Sequence, residues 1–184
     1  MKVVFQYLQT KQVQGVHVMI GALMETLFSP FFGMYDSTTV SLSYWGTGDE
    51  VWESTTYGNA ADFVASVALD PTAVGSWVIG SVKQIAQIYE DVYGERPILT
   101  KLGSLDDLDG LIQERRQKDP PNVMSYLVLS YNYYCMNGQT AVLPETEKPA
   151  LFEIRRESFE VFFRQQKKES IPTAIARVGT SLCL

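Results

Sequence analysis

Apolar and polar positions along this chain follow two periods, one typical of helices and one typical of strands. Apolar residues recur at helical spacing in residues 60–67 and 82–92, and residues 3–13 also fit a short helix. Short apolar or β-branched runs predict strands, and these runs are residues 16–20, 40–45, 51–55, 76–79 and 98–102. Because strands and helices alternate along the chain, we predict an α/β fold.

Capping residues indicate where several of these helices begin and end. Asn59 is placed to cap the helix over residues 60–67. Ser81 and Gln84 have the spacing of a capping box, and Gly94 is placed to end the helix that they begin. Ser104 opens a further helix with acidic residues at its start and basic residues at its end, which suits the helix dipole.

The carboxyl-terminal part of the chain contains two further predicted helices and a tail. Residues 122–137 are apolar on nearly every side, which predicts a buried helix. An amphipathic helix over residues 158–165 directs three aromatic residues inward, namely Phe159, Phe162 and Phe163. The periodicity fades after Gln166, so we predict one domain over residues 1–165 and a loosely structured tail over residues 166–184, without consequence for the core.

Composition and charge limit the kinds of partner. The 184 residues, 46% of them hydrophobic, suffice for one globular core, and the net charge of −6 argues against nucleic acid or an anionic membrane as the main partner. No apolar run is long enough to span a bilayer, and the first residues become polar too early for a secretory signal. Cys135 and Cys183 form no CxxC pattern, which favours a reducing, cytoplasmic location.

The segment Gly46-Thr47-Gly48-Asp49-Glu50 lies between two predicted strands. Its glycines are typical of a turn, and we predict a hairpin. Two acidic residues follow the second glycine directly, and their charges would repel a phosphate. The segment is therefore not interpreted as a phosphate-binding loop.

Five short motifs occur in an order and spacing typical of one family. They are Gly21-Ala22-Leu23-Met24-Glu25, Gly46-Thr47-Gly48, Thr55-Thr56 followed by Asn59-Ala60-Ala61, Tyr93-Gly94 followed by residues 103–108, and the tyrosines Tyr131, Tyr133 and Tyr134 before Asn137-Gly138. Over about residues 2–164 the chain resembles the NmrA-like and isoflavone-reductase-like branch of the atypical short-chain dehydrogenases. One motif departs from the family, because Asn59 stands where an acidic residue is usual.

The resemblance implies a fold, a cofactor and an activity. The fold would be the carboxyl-terminal part of an NAD(P)-binding Rossmann-like fold with its substrate-side helices. The activity would be that of an NAD(P)-dependent oxidoreductase acting on a small hydrophobic or aromatic molecule. The family binds the pyrophosphate through a G-x-x-G-x-x-G loop, which this sequence lacks. We therefore expect the amino-terminal dinucleotide-binding strands to be missing and NAD(P) to bind this chain weakly or not at all.

The missing loop leaves two other interpretations open. The chain could be a non-catalytic dinucleotide-sensing or protein-binding regulator of the NmrA type, or a truncated product without independent activity. A sheet that lacks its first strands would expose an apolar edge. We expect such an edge to support a homodimer or to bind another partner.

Four residues are candidates for a functional site. By the resemblance, Lys2 corresponds to the family's lysine near the nicotinamide, although it could also be a solvated terminal residue. Met24, Tyr131 and Tyr134 are the candidates for a substrate pocket, and the two tyrosines share one face of their predicted helix. Core packing is the alternative for the tyrosines. His17, the one histidine, is interpreted as a core residue, and no zinc site is expected.

Overall fold

The computed structural model describes residues 2–12, 20–69, 78–140 and 155–173, with side chains from Gln6 onward in the first of these ranges. Helices and strands are mixed along the chain, as expected of an α/β fold. In chain order the elements are α1 (Lys2–Thr10), β1 (Ala22–Leu23), α2 (Met24–Leu27), β2 (Tyr35–Asp36), β3 (Ser41–Trp45), β4 (Val51–Thr55), α3 (Tyr57–Leu69), β5 (Val78–Ser81), α4 (Val82–Tyr93), β6 (Ile98–Gly103), α5 (Leu105–Lys118), α6 (Met124–Met136), α7 (Phe159–Gln165) and a 3-10 helix (Lys168–Thr173). Most of the strand predicted at residues 16–20, including His17, lies outside the described residues.

The described strands form two sheets of three strands each, in the orders β1-β4-β5 and β2-β3-β6. In the first sheet β1 runs parallel to β4, with Leu23 opposite Thr55, and β5 is antiparallel to β4. In the second sheet β3 runs parallel to β6, with Ser41 opposite Ile98, and β2 is antiparallel to β3. Each sheet therefore combines one parallel and one antiparallel pair.

The connection between β3 and β4 corrects the prediction of a hairpin. These strands belong to different sheets, so the turn between them passes the chain from one sheet to the other. Within the turn, the Glu50 carboxylate accepts hydrogen bonds from the backbone N–H of Thr47 and of Gly48, both at 2.8 Å. Turn chemistry predicts a reversal of the chain but not which strands pair, and here β3 and β4 find parallel partners elsewhere.

Aromatic side chains fill much of the core. The ring of Phe28 lies 5.1 to 6.3 Å from four other rings, those of Tyr35, Phe159, Phe162 and Phe163. All three phenylalanines of α7 are buried, which confirms the predicted inward face of that helix. The hydroxyl groups of Tyr35 and Tyr89 form a buried hydrogen bond of 2.9 Å. This pairing satisfies two polar groups within an otherwise apolar core.

The capping box before α4 is confirmed. The Ser81 hydroxyl accepts a hydrogen bond from the Gln84 N–H, and the Gln84 side chain accepts one from the Ser81 N–H. Gly94 ends the helix in the left-handed conformation, with φ of 72°. Ser104 likewise caps α5, with Asp107 completing the box. These features depend on residues that are close in sequence, and for that reason the sequence predicts them well.

The predicted start of α3 is wrong by three residues. The helix begins at Tyr57, and the Thr56 hydroxyl accepts the hydrogen bond from the Asn59 N–H at 3.1 Å. Thr56 is therefore the capping residue. Because Asn59 lies inside the first turn, its side chain is available for other bonds.

Helix α6 is less buried than its apolar sequence predicts. Met136 is buried, but Met124 is exposed, and Tyr131 and Tyr134 are 55% and 48% exposed. The helix packs against α5 and contacts β4. An apolar pattern on all sides does not reveal which faces find a partner, and this explains the error. No described helix has the length and apolar content needed to cross a bilayer.

The segment after Gln166 is not loose where the structure describes it. Ile171, in the 3-10 helix, is fully buried in the core. The Tyr93 hydroxyl donates to the carbonyl oxygens of Phe163 (2.6 Å) and Gln166 (3.1 Å), and Lys168 pairs with Glu95. The expected loose tail is thus wrong for Lys168–Thr173, while residues 174–184 lie outside the described part.

Candidate functional site

The candidate site lies where two parallel strands end side by side. Leu23 at the end of β1 is opposite Thr55 at the end of β4. Glu25 follows the first strand in α2, and Tyr57 follows the second as the first residue of α3. Ligands of open α/β sheets bind at the carboxyl ends of the strands. The topology therefore places the candidate site near Glu25 and the start of α3.

Glu25 is a buried carboxylate at this position. Both of its oxygens accept from the Tyr57 N–H, at 3.1 and 3.2 Å, so the carboxylate lies at the amino terminus of α3. Burial raises the pKa of Glu25, and the negative charge of Glu157 adds to this effect. Backbone hydrogen bonds from Glu25 itself and from Tyr57 act in the opposite direction but do not cancel it.

Residues 155–157, which we call the strap, lie against the first turn of α3. The Asn59 side chain bonds the strap backbone twice: Nδ2 donates to the Arg155 carbonyl oxygen at 3.1 Å, and Oδ1 accepts from the Glu157 N–H at 2.6 Å. The Thr56 hydroxyl donates to the Glu157 carboxylate at 2.6 Å. Three hydrogen bonds thus join the strap to the start of α3.

An open cleft of about 440 Å³ lies beside the strap. Its walls come from α3, the strap and α7, and the lining residues are Asn59, Asp62, Arg155, Arg156, Glu157, Val161 and Gln165. The described lining residues carry two guanidinium groups, two carboxylates and two amides, and Val161 is the one apolar residue among them. Such a lining is suited to hydroxyl, amine and carboxylate groups of a small ligand.

The residues predicted from the sequence lie elsewhere. Met24 is fully buried in the core, whereas Tyr131 and Tyr134 lie on the exposed part of α6. None of the three lines the cleft. Lys2 begins α1, and its side chain is outside the described part of the structure. The roles proposed for these four residues stay predictions.

Glu25, Glu157 and Asn59 were not predicted as site residues from the sequence. Glu25 appeared only within a family motif, and Asn59 only as a cap and a motif residue. The sequence does contain a signal for Glu25, because a single acidic residue within an apolar run is typical of a buried carboxylate. The sequence contains no such signal for Glu157, since it lies far from its partner Thr56 in the chain. Among the described residues, no cluster of three or more His, Cys, Asp or Glu side chains could hold a metal ion.

Comparison with known proteins identifies the fold. No protein-family model and no curated protein sequence matches the chain. A nucleoside-diphosphate-sugar epimerase from Staphylococcus aureus is similar in structure, with a TM-score of 0.60 over 89% of this chain at 14% identity. Triphenylmethane reductase from Citrobacter sp., solved with NADP(H), is similar over 94% of this chain, with a TM-score of 0.54 at 11% identity. The fold is Rossmann-like.

This likeness confirms the predicted α/β, Rossmann-like fold class and goes no further. The chain spans 56% and 57% of the length of the two solved proteins. At identities this low, a shared structure establishes the fold but not a shared activity. The finer assignment to NmrA-like proteins stays a prediction.

Replacing Glu25 by glutamine should raise the Tm at pH 8 by a few degrees. Because its pKa is raised on folding, the folded chain binds this proton more tightly than the unfolded chain. Glu25 therefore favours folding most at low pH, and its contribution falls as pH rises through the raised pKa. The glutamine side chain would be uncharged at every pH and would still accept from the Tyr57 N–H. Thermal unfolding from pH 4 to pH 8 should show the gain growing with pH.

Glu50→Gln is the matched control, and its expected effect on stability has the opposite sign. Burial raises the pKa of Glu50, but the hydrogen bonds from the amides of Thr47, Glu50 and Gly48 outweigh it, and its pKa is lowered. This variant should be less stable than the parent at neutral pH and equal to it once the carboxyl is protonated in acid. A loss of stability at pH 8 on Glu25→Gln would contradict our interpretation of the buried charge.

Proposed function

We propose that this chain is the substrate-side part of an NAD(P)-dependent reductase-like or epimerase-like protein and that the cleft beside α3 receives the substrate. The observation behind the proposal is the position of the cleft. It lies against the first turn of α3, the helix that follows the parallel strand β4, in a fold shared with a reductase solved with NADP(H). If the chain is NmrA-like, Lys2 is the candidate to act near the nicotinamide.

The lining of the cleft favours a polar substrate. An apolar ligand would displace water from charged groups at the cleft and offer them no new hydrogen bonds, which is costly. A small molecule with hydroxyl or carboxylate groups would pair with them. We therefore propose such a substrate in place of the small hydrophobic or aromatic molecule predicted from the sequence.

The described glycine-rich turn does not fit a dinucleotide. A pyrophosphate needs free backbone N–H groups, but those of Thr47 and Gly48 already donate to the Glu50 carboxylate. Asp49, beside them, pairs with Lys83 at 2.6 Å. We propose that the residues of the cleft bind and orient substrate only.

A non-catalytic, ligand-sensing or protein-binding role is the second candidate. The observation that favours it is the use of the polar groups at the site. Glu157 bonds Thr56 and Gln165, and Asn59 bonds the strap, so both side chains hold the structure together. Groups engaged in this way support recognition of a ligand more readily than proton transfer.

A binding experiment tests the proposed site. In NMR titrations, the polar probes D-glucose and L-malate should shift the side-chain amide signals of Asn59 and Gln165, whereas the apolar probe 2-naphthol should not. Asp62→Ala, in the cleft, should weaken the response severalfold. The matched control Asp91→Ala changes an exposed aspartate of α4 and should have no effect.

Three outcomes distinguish the alternatives. Binding of 2-naphthol at the cleft would favour the hydrophobic substrate predicted from the sequence. Absence of any response to the polar probes would refute the cleft as a substrate site. Tight binding of NADPH by this chain, measured by calorimetry in parallel, would show that a surface other than the glycine turn holds the dinucleotide.

A further inference from the structure

We infer that Asn59 is a positioning residue whose side-chain amide clamps the strap and so fixes one wall of the cleft. The inference deepens the proposed function and rests on it only in taking the cleft as a ligand site. The clamp itself can be tested without any ligand.

The Asn59 amide bonds the strap as a neighbouring strand would. Its donor meets the Arg155 carbonyl and its acceptor meets the Glu157 N–H, so the two bonds flank Arg156. In a parallel ladder, one residue of the neighbouring strand makes the same two bonds through its own N–H and C=O. A single side chain thus replaces one residue of a strand and holds the strap backbone extended.

Burial makes these bonds effective. Asn59 is 7% exposed, so water competes little for its amide. Loss of the side chain would leave the Glu157 N–H and the Arg155 carbonyl, which are partly buried in these bonds, without these partners, and such a loss is costly. Phe159, two residues beyond the strap, is anchored in the core. The clamp therefore acts on a segment that is already fixed at one end.

The clamp determines the shape of the cleft. All three strap residues line it, as does Asn59 itself. If the strap moved away from α3, both guanidinium groups and the Glu157 carboxylate would change position together. Asn59 therefore acts on a ligand chiefly through the residues that it places.

The chemistry requires one donor and one acceptor on the same planar group. Alanine provides neither. An ionised aspartate has the shape of asparagine but only acceptors, and one oxygen would face the Arg155 carbonyl. A protonated aspartic acid again has one donor and one acceptor. Asn59→Asp should therefore lose the clamp at neutral pH and regain it in acid.

Other charged groups around this position bear on that titration. Glu25 and Glu157 lie at the same end of α3, Asp62 lies one turn further along the helix, and Arg155 and Arg156 lie on the strap. The carboxylates favour the protonated form of a new aspartate and the guanidinium groups oppose it. The wild type must be measured at each pH, because all of these groups are present in it too.

Hydrogen exchange of the Glu157 amide tests the clamp, because this N–H donates to Asn59. Protection relative to the intrinsic rate should fall about tenfold or more in Asn59→Ala and in Asn59→Asp at pH 7. At about pH 3, below the ordinary aspartic acid pKa of about 3.9, Asn59→Asp should recover the wild-type protection and Asn59→Ala should not. Exchange in α5, remote from the strap, reports global unfolding, and Asn122→Asp is an exposed control.

Wild-type protection at pH 7 in either variant would overturn the clamp, as would an Asn59→Asp that behaves like Asn59→Ala at both pH values. If Asn59→Asp does not fold at neutral pH, recovery of the fold on acidification, absent in Asn59→Ala, supports the clamp. Failure at both pH values, with a folded wild type, overturns it. The polar probes are tested separately on the wild type, so a failure of the proposed function leaves the exchange result standing.

Discussion

Replacing Phe28 by alanine should lower the free energy of unfolding by about 3–5 kcal/mol. Phe28 is almost fully buried, and its ring contacts Tyr35 and the three phenylalanines of α7. The change would open a cavity where α2, β2 and α7 meet, and these rings are too large to close it by small movements. Urea unfolding followed by tryptophan fluorescence would measure the loss.

The matched control is Phe31→Ala. It is the same substitution three residues further along the chain, but Phe31 is 49% exposed. Its loss should stay below about 1 kcal/mol, because surface substitutions change stability little. Equal losses at the two positions would contradict the central place of Phe28 in the core.

Replacing Ile171 by alanine should lower the free energy of unfolding by about 2–5 kcal/mol. Ile171 is fully buried in the core, although the sequence places it in a predicted loose tail. The same unfolding experiment measures the loss. Ile98→Ala is the control, since Ile98 is 63% exposed in β6, and it should cost much less. Unchanged stability on Ile171→Ala would restore the view that residues beyond Gln166 do not matter to the core.

The success of the sequence analysis depended on distance along the chain. The capping box of Ser81 and Gln84 and the ending at Gly94 were predicted because their bonds join residues three or four positions apart. The inward face of α7 followed from a period of the same length. Where a few neighbouring residues determine a structure, pattern and propensity are sufficient.

Prediction failed where the partner is distant. The strands on either side of Gly46–Glu50 have the sequence pattern of a β-hairpin, yet each forms its parallel pair with a strand far away in sequence. Ile171 has no periodic neighbours, so its burial could be seen only in the folded core. The site was not predicted for the same reason, because Asn59 and Thr56 bond to the strap, which lies nearly a hundred residues later in the chain.

The two parallel pairings have a consequence for how this chain folds. The pair of β1 with β4 and the pair of β3 with β6 each require a long stretch of chain to close into a loop before any ladder bond forms. The short turn between β3 and β4 lies within both loops. Formation of one parallel pair therefore limits the conformations from which the other pair can form. High contact order of this kind slows the rate-limiting step of folding, and here a single turn couples the formation of the two parallel pairs.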